Sequence, residues 1–122
     1  MFSAAVLDHF ANPRNAGELP APAAHAEMTN PVCGDILSLW IHVDSGRLRE
    51  IRFKAKGCVA AIACGSAVTE LAKGKPLAEA AQLTPDHVVA ALGGLPPESG
   101  HAAELAVAAL QSALRAALNS SG

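Results

Sequence analysis

No block of lysine and arginine occurs in the 122 residues, and the formal net charge is −2. The chain therefore has no electrostatic footprint for nucleic acid or for an anionic membrane surface, and neither partner is expected. The opening residues Met-Phe-Ser-Ala-Ala-Val-Leu-Asp-His-Phe lack a basic flank, and Asp8 and His9 break their apolar run. Neither a signal peptide nor a membrane span fits that pattern, so a cytoplasmic protein is expected. Cysteine is scarce and odd in number, with three residues at uneven spacings. That count suits ligands or reactive thiols better than a disulfide framework. There is no repeat, no low-complexity linker and no length to spare for a second domain. What remains is a chain that is 51% apolar with 10 Gly and 8 Pro, enough for one domain over residues 1–122 with a real core.

Periodicity outlines the elements. Residues 3–11 read as a short amphipathic helix capped by Ser3, stopped by the turn Asn12-Pro13-Arg14-Asn15-Ala16-Gly17. The Pro-rich stretch 18–23 is a surface connection, and a weaker strand covers 24–30. Leu37, Leu39, Ile41 and Val43 recur at a period of two, as do Arg49, Ile51, Phe53 and Ala55 beyond Asp44-Ser45-Gly46. Two such runs around a turn predict a hairpin with one buried face, leaving Arg52, Lys54 and Lys56 on a solvated face. From Val59 to Lys73 the period becomes helical, with Ala61, Cys64, Val68, Leu71 and Ala72 on one stripe and Gly74 as the stop. Thr84-Pro85 opens a helix through Leu92 to Gly93-Gly94. Residues 95–100 are expected as an exposed, non-helical loop. A last helix over Ala103 to Leu118 buries Ala103, Ala106, Val107, Leu110, Ala113, Leu114, Ala117 and Leu118. Strands followed by helices predict an α+β fold, a small antiparallel three-stranded sheet with helices packed on one face.

The chemistry falls at junctions of that outline. Cys33, in Asn-Pro-Val-Cys-Gly-Asp, precedes the first hairpin strand, and Cys58, in Phe-Lys-Ala-Lys-Gly-Cys, follows the second. Pairing of the strands makes the two cysteines neighbours at the open end of the hairpin. Thiolate and imidazole are preferred ligands of zinc, iron and iron-sulfur clusters. Cys58 also opens a helix near Lys54 and Lys56, a setting that favours its thiolate. Asp35 either caps a turn or turns its carboxylate to the same point. His101, at the start of the last helix, either closes the site or is a surface residue. Cys64 lies about 240° around the helix from Cys58, at 100° per residue, and reads as core. His9, His25, His42 and His87 have no such context and receive no role.

Four segments together carry a family resemblance: Asp-His-Phe-Ala-Asn-Pro-Arg-Asn-Ala-Gly at 8–17, Asn-Pro-Val-Cys-Gly-Asp at 30–35, Phe-Lys-Ala-Lys-Gly-Cys-Val-Ala-Ala-Ile-Ala at 53–63 and Leu-Pro-Pro-Glu-Ser-Gly-His at 95–101. In this order they resemble the motifs of the U-type iron-sulfur cluster scaffold family, IscU and the N-terminal domain of NifU. The resemblance implies an α+β domain on which iron and sulfide become a [2Fe-2S] cluster that passes to apo-proteins. It implies as partners a cysteine desulfurase, an iron-supplying protein and, in some systems, a dedicated chaperone pair. Carried over by position, Cys33 and Cys58 match cluster ligands, Asp35 matches the acidic residue tied to metal binding and cluster lability, and His101 matches the histidine beside the last ligand. Two departures stand out. Ala102 occupies the place of the family's third cysteine, the one associated with receiving sulfur, and Ser99 stands where the family has a lysine, which argues against recognition by the chaperone.

Cys33, Asp35, Cys58 and His101 still number four, enough for tetrahedral Zn(II) or a [2Fe-2S] cluster with mixed ligation. The expected function is accordingly a cluster or iron scaffold or carrier rather than an enzyme. Two alternatives stay open: a zinc-binding module that docks to a desulfurase without building clusters, and a thiol redox protein using Cys58 and Cys64.

Overall fold

The structure, a computed structural model, describes residues 2–30 and 34–120. Helix α1 (Ala4–Ala11) begins where expected, because the Ser3 hydroxyl accepts the Val6 N–H at 3.1 Å and donates to the Leu92 carbonyl. Three strands follow, β1 (Ala24–Asn30), β2 (Asp35–Asp44) and β3 (Arg47–Lys56), in spatial order β1-β2-β3 with both pairs antiparallel. The hairpin closes at Asp44↔Arg47 through Ser45 and Gly46, whose φ angles of 55° and 74° are the two left-handed positions of a type I′ turn.

A bulge corrects one expectation. His42 pairs with Glu50 but Val43 pairs with Leu48, so Arg49 is an extra residue and its side chain points to solvent. The strict period of two had placed Arg49 on the face of Ile51. The inserted residue instead hands that place to Leu48, which is fully buried beside Ile51.

Helices α2 (Val59–Ala72) and α5 (Gly100–Ser120) pack on the sheet face formed by Leu37, Leu39, Ile41, Ile51 and Phe53. The opposite face is polar at its centre, where His25 stacks on Trp40 at 4.4 Å and the Ser38 hydroxyl donates to Glu27. The α2 stripe was read too narrowly. Ten of its fourteen residues are buried, because α1, α4 (Pro85–Ala91) and α5 cover the sides that the sheet leaves open, while Leu71 is only half-buried. Gly65 makes the contact with the sheet possible. A Cβ there would lie 2.7 Å from the Phe53 ring and 2.9 Å from Leu37. A mid-helix glycine costs about 1 kcal/mol against alanine, and here that cost is offset by the close approach.

Three further differences concern short or terminal pieces. Helix α3 (Leu77–Ala80) was not foreseen, since four residues carry no readable period. The loop expected at 95–100 contains a 3₁₀ turn at Pro97–Ser99 and leads into α5 at Gly100 instead of Ala103. Proline is compatible with a first helical turn, where its missing N–H has no partner to lose, so Pro96-Pro97 starts this segment and does not forbid it. Leu118, expected on the buried face of α5, is 58% exposed, while Ala117 beside it is buried as expected.

Candidate functional site

Strand β3 ends at Lys56 and α2 begins at Val59, so Gly57 and Cys58 alone make the junction. Gly57 sits at φ 139°, and a Cβ on it would fall 2.0 Å from Asp35 Oδ1. Only glycine leaves room for the carboxylate in that place. Asp35, the first residue of β2, is 3% exposed, and its Oδ1 accepts the Cys58 N–H at 3.2 Å while its Oδ2 lies 3.5 Å from the Cys58 thiol, which donates to it. The two roles weighed for Asp35 are thus one arrangement, in which the carboxylate holds the junction and faces the thiol.

Cys58 is the N-cap of α2, exposed, with no side-chain cap bond; the first intrahelical bond runs from the Ile62 N–H to its carbonyl at 3.3 Å. The leading N–H groups of α2 therefore add positive potential at this residue, opposite the Asp35 carboxylate. Cys33 lies outside the described residues. Just past it, Gly34 takes φ 74° and donates to the Asn30 carbonyl at 2.7 Å, and β1 and β2 pair up to Asn30↔Asp35. His101, on the first turn of α5, is exposed, with its Nδ1 3.5 Å from Glu104. Among the described residues no group of three or more His, Cys, Asp and Glu side chains is positioned to hold a metal ion. Asp35 and Cys58 are brought together, and His101 does not join them in this conformation.

Cys64 is fully buried, and burial, reinforced by the neighbouring Cys58, pushes its thiol up to about 12. It is a core residue, as its helical position predicts, and a poor partner for redox exchange. Ala102, where the resemblance would place a third cysteine, is also buried, at 4% exposure. Of the strand lysines, Lys54 pairs with Glu18 at 2.7 Å, which holds the Glu18 carboxyl below the usual range, whereas Lys56 has no ion pair among the described residues.

Sequence reasoning missed His9. It is 6% exposed, with Nδ1 2.7 Å from the Ser66 hydroxyl, which also accepts the Arg14 N–H at 2.8 Å. The hydroxyl thus joins the ring and the Arg14 amide at one point, and on the other side of the ring Nε2 lies 3.7 Å from Glu70. Burial first, and the Arg14 charge second, hold the His9 pKa below its ordinary value. The same strap continues outward: Arg14 bonds Asp8 at 2.6 Å, Asn15 bonds Thr69 at 3.2 Å, and the Asn15 carbonyl and Gly17 N–H both bond the Phe53 backbone at 2.9 Å. Residues 8–17 thereby tie together α2 and β3, the two elements that meet at Cys58. The segment was legible as a motif, but nothing in its residue types said that it was a clamp. A groove of about 610 Å³ runs between this strap and the end of β3, bounded by Ala16, Gly17, Ile36, Ala55, Lys56 and Ile62 among others.

Fold and site together define a small α+β domain that presents a cysteine and a buried carboxylate at a strand-to-helix junction. The chain belongs to the NifU-like N-terminal domain family, whose model matches residues 1–119. It is 46% identical over 114 residues to iron-sulfur cluster assembly scaffold protein IscU 1 of Archaeoglobus fulgidus, covering 93% of this chain and 74% of that one. It is 41% identical over 112 residues to the scaffold protein IscU of Aquifex aeolicus, covering 90% and 71%. The fold is that of a nitrogen-fixing NifU-like protein (N-terminal) from Brucella abortus, with a TM-score of 0.77 at 16% identity over 96% of this chain and 94% of the other. No helix of the described residues is long and apolar enough to cross a membrane.

Proposed function

We propose that this protein is an iron-sulfur cluster assembly scaffold or carrier, one domain over residues 1–122, that takes iron and sulfide as cargo and hands the cluster to apo-proteins in the cytoplasm. The observation that carries the reading is the exposed Cys58 thiol seated on the buried Asp35 carboxylate at an uncapped helix start, in a chain of this family. Cys58 and Cys33 supply the two thiolates, Asp35 a carboxylate oxygen and His101 an imidazole. Since His101 stands apart from the Asp35-Cys58 pair, the first turn of α5 closes on the cargo after it enters. A carboxylate in place of a third thiolate gives a labile [2Fe-2S] cluster, which suits a carrier. A cysteine desulfurase is the sulfur-supplying partner, and turnover of a substrate is not part of the role.

Ala102 favours a second reading, in which the four residues hold Zn(II) in a module that docks to the desulfurase. Anaerobic reconstitution with ferrous iron and sulfide separates the two. Visible charge-transfer absorption in the wild type that disappears in Cys58→Ala supports the scaffold. Stoichiometric zinc with no such absorption supports the zinc module and overturns the first reading.

A further inference from the structure

Strand β3 has an open edge beside the candidate site, and we propose that this edge takes an extended peptide segment of a partner protein, one that pairs with the Ala55 backbone and carries an acidic residue next to an apolar one. The backbone argument comes from Phe53. Its N–H and C=O are bonded by Asn15 and Gly17, so they point away from β2. Residues two apart on a strand share orientation, and Ala55 therefore aims its own N–H and C=O outward as well. The strap ends its bridge at Gly17, and among the described residues no bond from outside the sheet reaches Ala55. The strap thus uses this end of the edge as a pairing template, and among the described residues the next pair of groups is unused.

The groove beside that edge fits the rest of the segment. Ile36, Ala55 and Ile62 are half-buried apolar walls, and the volume of about 610 Å³ accommodates side chains of an extended peptide. Charge selects the sequence. Lys54 is neutralised by Glu18, Glu27 accepts the Ser38 hydroxyl at 3.0 Å, and of the two lysines lining the groove Lys56 is exposed and has no ion pair among the described residues. Main-chain pairing supplies affinity in such edge additions and the flanking pockets supply specificity. A segment so bound passes within three residues of Cys58 along β3, close enough for a partner to meet the site.

The inference does not depend on the cargo assigned above, and its test contains no iron. The apo protein, ¹⁵N-labelled, is titrated with the acetylated and amidated peptide Thr-Val-Asp-Val-Thr and with its counterpart carrying lysine in place of aspartate. The expected result is movement of the amides of Ala55, Lys56, Gly57 and Ile62 by the acidic peptide alone. Ala55→Pro removes an N–H that points out of the sheet, which an edge strand tolerates, and abolishes the effect. Lys56→Glu, on an exposed residue whose side chain makes no hydrogen bond or ion pair among the described residues, also abolishes it and transfers the preference to the lysine peptide. Amides unmoved by the acidic peptide, equal response to both peptides, or an undiminished response in Lys56→Glu overturns the proposal. Concentration-dependent shifts of the same amides without peptide, the mark of a second copy on this edge, overturn it too.

Discussion

At the scale of single residues, the site rests on a glycine. Gly57 meets two conditions at once, a φ of 139° and a Cβ position occupied by the Asp35 carboxylate, whereas Gly34 meets only the first, at φ 74° with nothing within 4 Å among the described residues. Gly57→Ala is therefore expected to cost about 2–4 kcal/mol in urea unfolding, combining backbone strain of roughly 1–3 kcal/mol with displacement of a buried carboxylate. Gly34→Ala should cost about 1–2 kcal/mol, the left-handed penalty alone. Equal losses at the two positions would show that Asp35 does not occupy the space under Gly57. The cysteines divide as sharply. Native protein treated with iodoacetamide at pH 8 is expected to be alkylated at Cys58 and protected at Cys64, because a thiol held near 12 has almost no thiolate and no access. Cys64 modification as fast as in urea would mean that the core around α2 opens readily.

At the scale of elements, legibility followed the physics of periodicity. The hairpin, β1 and the helices α1, α2 and α4 were readable because alternation and capping residues such as Ser3 and Thr84 act locally. Arg49 was misplaced because a bulge changes the register without changing composition, and α2 was read as amphipathic because the helices that cover its other sides cannot be seen from its own sequence. The candidate site was half legible: the hairpin argument led to the junction at Cys58, but the pairing of Cys58 with Asp35 depends on a Gly57 conformation that no residue spacing reports. The strap of residues 8–17 was invisible as chemistry, and it carries the pH dependence. His9 has a folded pKa below its unfolded value, so the unfolded chain binds the proton more readily. The stabilisation is complete above about pH 6.5, the unfolded value, and is lost as pH falls toward the folded one. Thermal unfolding between pH 8 and pH 5 should show Tm falling on the acid side, and His9→Gln should flatten that slope. A wild-type slope retained in His9→Gln would assign it to other groups.

At the scale of the whole molecule, the departure at Ala102 and the position of His101 bear on the same movement. Ala102 faces the core from the first turn of α5 at 4% exposure, while the adjacent His101 faces solvent beside Glu104. Residues one apart on a helix point about 100° from one another, so this turn offers the site only one of the two positions at a time. A sulfur at 102 would reach the cargo only if the turn rotates or loosens, and in this structure Ala102 packs into the start of α5. Ala102→Cys therefore tests whether a third thiolate can be supplied from this position. The added sulfur overpacks the core and should lower stability by about 1 kcal/mol in the apo protein. After anaerobic reconstitution it should lengthen the life of the charge-transfer absorption under chelator challenge, since a third thiolate replaces a harder oxygen ligand. Ala102→Ser, nearly the same size without a soft donor, should show the stability loss and none of the gain. Equal cluster lifetimes in Ala102→Cys and wild type would mean that α5 does not turn this position toward the cargo, and that the site works with two thiolates from its own chain.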